Sequence, residues 1–94
     1  MHLLIIEDDR TIAENIDDYL EARGHQCDYA DSIAAASALL ARTGVDALVL
    51  DRNLPDGDGL ALARRLRTEG CATPILTLTA RRPGGQAARL RGRW

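Results

Sequence analysis

The sequence contains almost no aromatic residues and no lysine. Among its 94 residues are two Tyr, one Trp and no Phe, and all 12 basic residues are Arg. A hydrophobic core must therefore be built from Leu, Ile, Val and Ala. With 46% hydrophobic residues, the chain has enough apolar material for one compact domain with a core of moderate size.

Cysteine, histidine and long apolar runs are also scarce. Cys27 and Cys71 are neither spaced as a metal-binding pair nor numerous enough for a disulfide framework, and His2 and His25 are isolated from them and from each other. There is no secretory leader and no stretch of about 18 apolar residues that would span a membrane. We therefore expect a cytoplasmic protein with reduced thiols and no membrane partner.

Acidic residues are missing from the end of the sequence. Residues 1–80 contain seven Arg and all 14 acids, a net charge of −7, whereas residues 81–94 contain five Arg and no acid, a net charge of +5. The second segment is rich in Arg and Gly and poor in apolar residues, so we expect it to be disordered or loosely helical beyond a domain at residues 1–80. It lacks interleaved aromatic residues and a recognition-helix pattern, so we expect no direct contact with DNA.

Four apolar segments predict buried strands. Residues 3–6 (LLII), 46–51 (DALVLD) and 74–79 (PILTLT) are nearly continuous apolar runs, and residues 25–30 alternate weakly, as an edge strand does. The segments between them have helical spacing and end near glycine, which predicts helices after Asp9, at 33–42 and at 60–68. Strands alternating with short helices predict a parallel sheet covered on both faces.

Three of the predicted strands end on side chains that carry oxygen. Glu7 and Asp8 follow the first strand, Asp51 ends the third and Thr79 ends the fourth. Parallel strands end at one edge of their sheet, where open α/β folds bind ligands. Taken alone, Asp51 is equally consistent with a residue that caps the following turn. Asp9 differs from its neighbours because it is well placed as the N-cap of the first helix.

A group of carboxylates at this edge predicts a magnesium site. Neighbouring carboxylates raise one another's pKa unless a cation neutralises them, and hard divalent ions prefer oxygen ligands. We expect Asp8 and Asp51 to bind Mg²⁺ directly and Glu7 to act through water. Asn53, in the loop after Asp51, can contribute its backbone carbonyl.

A carboxylate beside Mg²⁺ is also placed to attack phosphorus, because the ion screens the approach of an anionic phosphoryl group. Asp51 is the predicted nucleophile. The hydroxyl of Thr79 can then donate a hydrogen bond to a phosphoryl oxygen. Each feature alone is also compatible with an ordinary structural role, and it is their combination that indicates phosphoryl chemistry.

The same segments resemble a known family. Residues 3–9 (LLIIEDD), 48–59 (LVLDRNLPDGDG) and 74–80 (PILTLTA) are similar to the receiver domain of two-component response regulators, most of all to the transcription-regulator subfamily that joins it to a winged-helix DNA-binding domain. The resemblance covers residues 1–80. It implies a flavodoxin-like three-layer α/β/α fold with strand order 2-1-3-4-5.

The resemblance also implies roles for individual residues. A partner histidine kinase would pass a phosphoryl group from its phosphohistidine to Asp51, with Mg²⁺ as the cofactor. Glu7 and Asp8 would be the acidic pair, Asn53 the carbonyl donor and Thr79 the switch hydroxyl. The implied protein is a phosphoacceptor and not an enzyme with turnover.

The resemblance ends at Ala80, whose small side chain would give the Thr79 hydroxyl access to the phosphoryl group. The family continues with a fourth helix, a fifth strand preceded by Lys-Pro, and a fifth helix, none of which we find in residues 81–94. We therefore expect a sheet that is incomplete after the fourth strand, with order 2-1-3-4, and impaired function. A frameshift past Ala80 is one explanation, which reading the coding DNA in all frames would test.

Two other functions remain open. The chain can be a remnant that transfers nothing and acts only as an interaction fragment, forming a homodimer or a strand-exchanged oligomer through its exposed fourth strand. It can also be an aspartyl-phosphate phosphohydrolase, which uses an Asp at a strand end with Mg²⁺. Such enzymes need a second Asp two residues later as a general acid and base, and Asn53 cannot exchange a proton in that role.

Overall fold

A computed structural model describes residues 1–79 and 89–93, with Thr79 and residues 89–93 described through their backbone. Strands and helices alternate along the first part of the chain, and a short hairpin follows the third long strand. The strands are β1 (His2–Ile6), β2 (Gln26–Ala30), β3 (Ala47–Asp51), β4 (Asn53–Leu54), β5 (Gly57–Asp58), β6 (Ile75–Thr79) and β7 (Arg89–Arg93). The helices are α1 (Arg10–Glu21), α2 (Ile33–Arg42) and α3 (Gly59–Thr68).

The main sheet has the strand order β2-β1-β3-β6-β7, and its first four strands are parallel. Ile5 in β1 pairs with Tyr29 on one side and with Val49 on the other, and Val49 pairs in turn with Leu76. These four strands are the four that the sequence predicts, in the predicted order 2-1-3-4. The flavodoxin-like α/β fold is therefore confirmed.

The far edge of the sheet differs from the prediction. We expected the sheet to stop at the fourth strand, β6, and to leave it exposed. In the structure β7 pairs with β6 in antiparallel orientation, with Leu78 opposite Leu90 and a register shift between Thr77 and Leu78. The prediction of a free fourth strand is wrong, because β7, from the Arg/Gly-rich segment, pairs with residues 76–79 of β6.

This correction affects two further predictions. An oligomer that exchanges its fourth strand no longer has a free edge at β6, although an oligomer of another kind stays a prediction. Residues 80–88 and 94, which include Ala80 and most of the segment predicted to be disordered, lie outside the described residues.

Polar side chains fix where each helix begins. Asp9 caps α1 by accepting a hydrogen bond from the Ile12 N–H, which confirms its predicted role. Ser32 caps α2 in the same way, and Asp58 caps α3. The carboxylate at position 9 is therefore engaged in local structure.

The helices cover the two faces of the sheet unequally. On one face, α2 and α3 pack against the sheet over a large group of buried side chains, whereas α1 packs over a smaller group on the other. Separately, none of the described helices has the length and apolar character that a membrane-spanning segment requires. The larger group comprises Leu4, Ile6, Ala30, Ala36, Leu48, Leu50, Leu54, Leu62, Ala63, Leu66 and Ile75, and the smaller comprises Ile5, Ala13, Val49 and Leu78.

Candidate functional site

Three acidic side chains meet at the carboxyl edge of the sheet. Glu7 and Asp8 follow β1, and Asp51 is the last residue of the neighbouring strand β3. One carboxylate oxygen from each of the three residues lies within 4.8 Å of the other two. The adjacent parallel strands are thus sufficient to bring together side chains that are more than 40 residues apart in sequence.

Two of these acids are buried. The residue exposure is 2% for Glu7 and 6% for Asp51, whereas Asp8 is exposed. The pKa of Glu7 is raised to about 8, chiefly by burial and in part by the nearby carboxyl group of Asp51. The Asp9 N–H donates a hydrogen bond to Glu7 Oε2 at 3.0 Å, which acts in the opposite direction.

The pKa of Asp51 is also raised, chiefly by burial, and the charge of Asp8 adds to this effect. Hydrogen bonds from the Glu7 carboxyl group and from the N–H groups of Asn53 and Arg52 favour its ionised form. The direction of these shifts favours a proton on Glu7 and a charge on Asp51.

The donor set fits a hard divalent cation. All three candidate ligand atoms are carboxylate oxygens, and a cation among them would favour the ionised carboxyl groups that burial disfavours. The exposed Asp8 leaves one side of the group open to solvent. Mg²⁺ usually keeps several of its waters, so this partial exposure suits it.

A tight loop holds Asp51 in place. The strands β4 and β5 form a two-residue antiparallel ladder, and the Gly59 N–H donates to the Arg52 carbonyl at 2.7 Å, which brings the start of α3 back over the end of β3. A Cβ atom at position 59 would overlap the backbone carbonyl oxygen of Asp51. Gly59 is therefore required by this close approach, and not only by the turn.

The sequence pattern did not single out two residues of this loop. Gly59 belongs to a segment rich in turn residues and to the motif at 48–59, but neither assigns it a role of its own. Asp56 was not assigned a role either. Its carboxylate accepts hydrogen bonds from the N–H groups of Ile33 and Ala34, more than 20 residues earlier in the chain, which sequence spacing does not indicate.

The remaining predicted site residues lie nearby along the backbone. Asn53 is exposed in β4, two residues beyond Asp51. Thr79 is the last residue of β6 and follows Leu78, the backbone partner of Asp51. The structure therefore brings the Glu7, Asp8 and Asp51 side chains together, while the roles of the Asn53 carbonyl and the Thr79 hydroxyl stay predictions.

The chain matches known proteins along most of its length. The family model for the response regulator receiver domain matches residues 3–90, ten residues beyond the end of the segment in which we found the resemblance. The transcriptional regulatory protein PmrA of Pectobacterium parmentieri is 42% identical over 81 residues. That alignment covers 86% of this chain but only 36% of PmrA, so the chain spans about a third of the length of this relative.

Solved structures have the same fold. The receiver domain of a Francisella response regulator superposes with a TM-score of 0.80 at 30% identity, over 84% of this chain and 65% of that one. The response regulator TrrA of Thermotoga maritima, solved in complex with Mg²⁺ and BeF, superposes with a TM-score of 0.80 at 26% identity, over 85% of this chain and 70% of that one.

Proposed function

The chain belongs to the family of response regulator receiver domains, and from this membership we propose that it accepts a phosphoryl group on Asp51 from a sensor histidine kinase. Receiver domains serve as phosphoacceptors in two-component signalling. The identity of the acceptor residue, the use of Mg²⁺ and the kinase as partner are the parts that we propose for this chain. A cytoplasmic location belongs to the same proposal.

The buried position of Asp51 beside Glu7 and Asp8 is the observation that carries the proposal. An acid that only capped a turn would be exposed, as Asp58 is at the start of α3. Asp51 is instead 6% exposed and shares its surroundings with two more carboxyl groups. Such an arrangement raises the energy of the cation-free protein, and a functional role is the simplest explanation for it.

The transfer itself requires little chemistry from the protein. An Asp51 carboxylate oxygen forms a bond to phosphorus as the bond from phosphorus to the kinase imidazole nitrogen breaks, and the imidazole leaves with that electron pair and takes up a proton. Asp51 must be ionised to attack. Mg²⁺, when held by Asp8 and Asp51 with Glu7 acting through water, would neutralise charge on the carboxylates and phosphoryl oxygens.

Two further groups complete the proposed site. The backbone carbonyl of Asn53 offers another oxygen ligand to the cation, and the Thr79 hydroxyl donates to a phosphoryl oxygen after transfer. Asn53 begins β4 two residues beyond Asp51, and Thr79 follows the backbone partner of Asp51 in β6. PmrA is by name a transcriptional regulatory protein, and we propose that this chain likewise serves in transcription regulation without itself binding DNA.

Chemical phosphorylation tests the proposal directly. The chain is incubated with Mg²⁺ and a small acyl phosphate, and protein-bound phosphate that is stable in acid but labile in alkali is measured. We expect a signal that disappears in Asp51→Asn and is retained in Asp58→Asn, a matched change seven residues away in the same loop.

The expected signal is weak. In the family, a Lys before the fifth strand pairs with the phosphoryl oxygens, but none of the 12 basic residues of this chain is Lys. Loss of one such charge-assisted hydrogen bond costs about 1.5–3 kcal/mol. Labelling that persists in Asp51→Asn would contradict the choice of acceptor. A chain that is folded by circular dichroism yet takes up no phosphate would instead support the interpretation as a non-transferring interaction fragment.

A further inference from the structure

The loop that follows Asp51 is fastened to a distant helix. Its hairpin consists of β4 and β5 with Pro55 and Asp56 at the tip. Leu54 anchors one side of this hairpin in the larger hydrophobic core, where it is 8% exposed. The tip itself lies against the first turn of α2, because a Cβ atom at Gly57 would come within 2.9 Å of Ile33 Cδ1.

Asp56 makes the polar connection at this contact. One of its carboxylate oxygens accepts the Ile33 N–H at 2.8 Å and the other accepts the Ala34 N–H at 3.0 Å. These are two of the N–H groups that have no partner within a helix. The cap residue Ser32 satisfies a third, that of Ala35, with its own hydroxyl at 3.0 Å. The N–H groups at the start of α2 are thus satisfied partly by Asp56, which is distant in sequence, and partly by the neighbouring Ser32.

The start of α2 is also connected to Glu7, one of the three acids of the candidate site. Strand β2 ends at Ala30, and the Ala30 carbonyl accepts the Glu7 N–H at 3.0 Å. Only Asp31 and Ser32 separate Ala30 from α2. A short, hydrogen-bonded path therefore runs from Glu7 through the end of β2 to Asp56, and from Asp56 back along the hairpin to Asn53.

We propose that Asp56 is a positioning residue for the cation site: by tying the hairpin to the start of α2, it fixes the backbone at Asn53 relative to the Glu7, Asp8 and Asp51 carboxylates. The proposal rests on the cation site of the proposed function. It assigns Asp56 no direct contact with the cation. Without the tie, the hairpin keeps Leu54 in the core, its two-residue ladder and the hydrogen bond between Gly59 and Arg52, but its tip loses its polar connection to α2. Ordering the tip on cation binding then costs binding free energy.

The test is the affinity for Mg²⁺, measured by titration calorimetry with MgCl₂ on the full chain. We expect Asp56→Ala to weaken binding by about tenfold, the lower end of what loss of an outer-shell partner costs a metal site. Asp56→Asn keeps one acceptor oxygen and should give an intermediate loss. Amide hydrogen exchange at residues 53–57 should become faster in Asp56→Ala and remain slow in β1 and β3.

Two control variants separate positioning from general weakening. Ser32→Ala removes the other acceptor at the same helix start without touching the hairpin, so it should lower the melting temperature but leave Mg²⁺ affinity unchanged. Asp31→Asn removes one negative charge next to α2 and controls for net charge. If Ser32→Ala weakens Mg²⁺ binding as much as Asp56→Ala does, Asp56 has no specific positioning role.

Asp8→Ala distinguishes the two levels of the proposal. Mg²⁺ binding that is lost in Asp8→Ala and unchanged in Asp56→Ala would overturn the positioning role and leave the cation site standing. An unmodified chain that binds no Mg²⁺ would overturn both. If Asp56→Ala does not fold, Asp56→Asn decides by itself, because unchanged affinity and unchanged exchange at residues 53–57 in that variant contradict the proposal.

Discussion

Asp51 and Asp56 are five residues apart in the same loop, yet their carboxyl groups lie in opposite environments. Asp51 is buried beside other carboxyl groups, and its pKa is raised by that burial. Asp56 is exposed, and the N–H groups of Ile33 and Ala34 lower its pKa. Acids of the first kind are poised for a cation or a reaction, and acids of the second kind hold elements together.

The same contrast separates consecutive residues after β1. Glu7 is buried with a pKa of about 8, whereas Asp9 accepts the Ile12 N–H at the start of α1. Functional and structural acids are thus interleaved in this fold. What distinguishes them is whether the carboxyl group lies beside other carboxyl groups or binds N–H groups at the start of a helix.

The largest expected effect distinguishes Asp8 from Asp9. Asp8→Ala removes a proposed direct ligand, so Mg²⁺ affinity should fall by about a hundredfold, at the upper end of the loss that removal of an outer-shell partner causes. Asp9→Ala removes a helix cap and should leave Mg²⁺ affinity unchanged while lowering stability by about 1 kcal/mol. Titration calorimetry and urea unfolding measure the two quantities. Equal Mg²⁺ affinities for both variants would contradict the assignment.

The second effect is a pH dependence of stability in the cation-free protein. Glu7 has an ordinary pKa of 4.5, and its pKa in the folded protein is about 8. Between these values the unfolded chain binds fewer protons than the folded one, so stability falls as pH rises and the loss is complete above about 8. Urea unfolding in EDTA at several pH values across this window measures the slope.

Glu7→Gln should flatten this slope, because an amide has no proton to lose. Glu14→Gln, at an exposed position of α1, is the matched control and should leave the slope unchanged. Saturating Mg²⁺ should also oppose the fall, since the cation favours the ionised carboxylates. A slope that is the same in the unmodified protein and in Glu7→Gln would contradict the raised pKa of Glu7.

The smallest effect compares Asp51 with Asp58 by melting temperature. In the absence of a cation, Asp51→Asn removes a buried carboxylate from the neighbourhood of Glu7 and Asp8, so we expect the melting temperature to rise at neutral pH. Asp58→Ala removes the cap that accepts the Leu60 N–H and should cost about 1 kcal/mol, or roughly 4–8 °C for a domain of this size. Changes of the same sign would erase the distinction between the two kinds of acid.

Much of the fold follows from local signals. The apolar runs at residues 3–6 and 47–50 are buried on both faces and could only be central strands, and the strand order follows from the resemblance that these motifs carry. Asp9 was identifiable as a cap from its position before a helical repeat. The antiparallel strand β7 was not, because the Arg-rich segment has no apolar alternation, and its pairing with β6 satisfies backbone groups that any residue carries.

The site was predictable in its membership but not in its electrostatics. Glu7, Asp8 and Asp51 were recognisable because each comes at the end of an apolar strand. The burial of Glu7 and the proton it holds depend on how closely β1 and β3 approach. The tie between Asp56 and α2 depends on a contact between segments more than 20 residues apart, which no periodicity records.

The sequence by itself determined which segments become strands and helices and which carboxylates stand at the strand ends, because alternation, apolar runs and capping residues act over a few neighbouring residues. Only the tertiary structure decided which acids are buried together, which bind the start of a helix, and what covers the far edge of the sheet. Those outcomes depend on distances between segments that are remote in sequence, and it is these distances that set desolvation, charge interaction and hydrogen bonding.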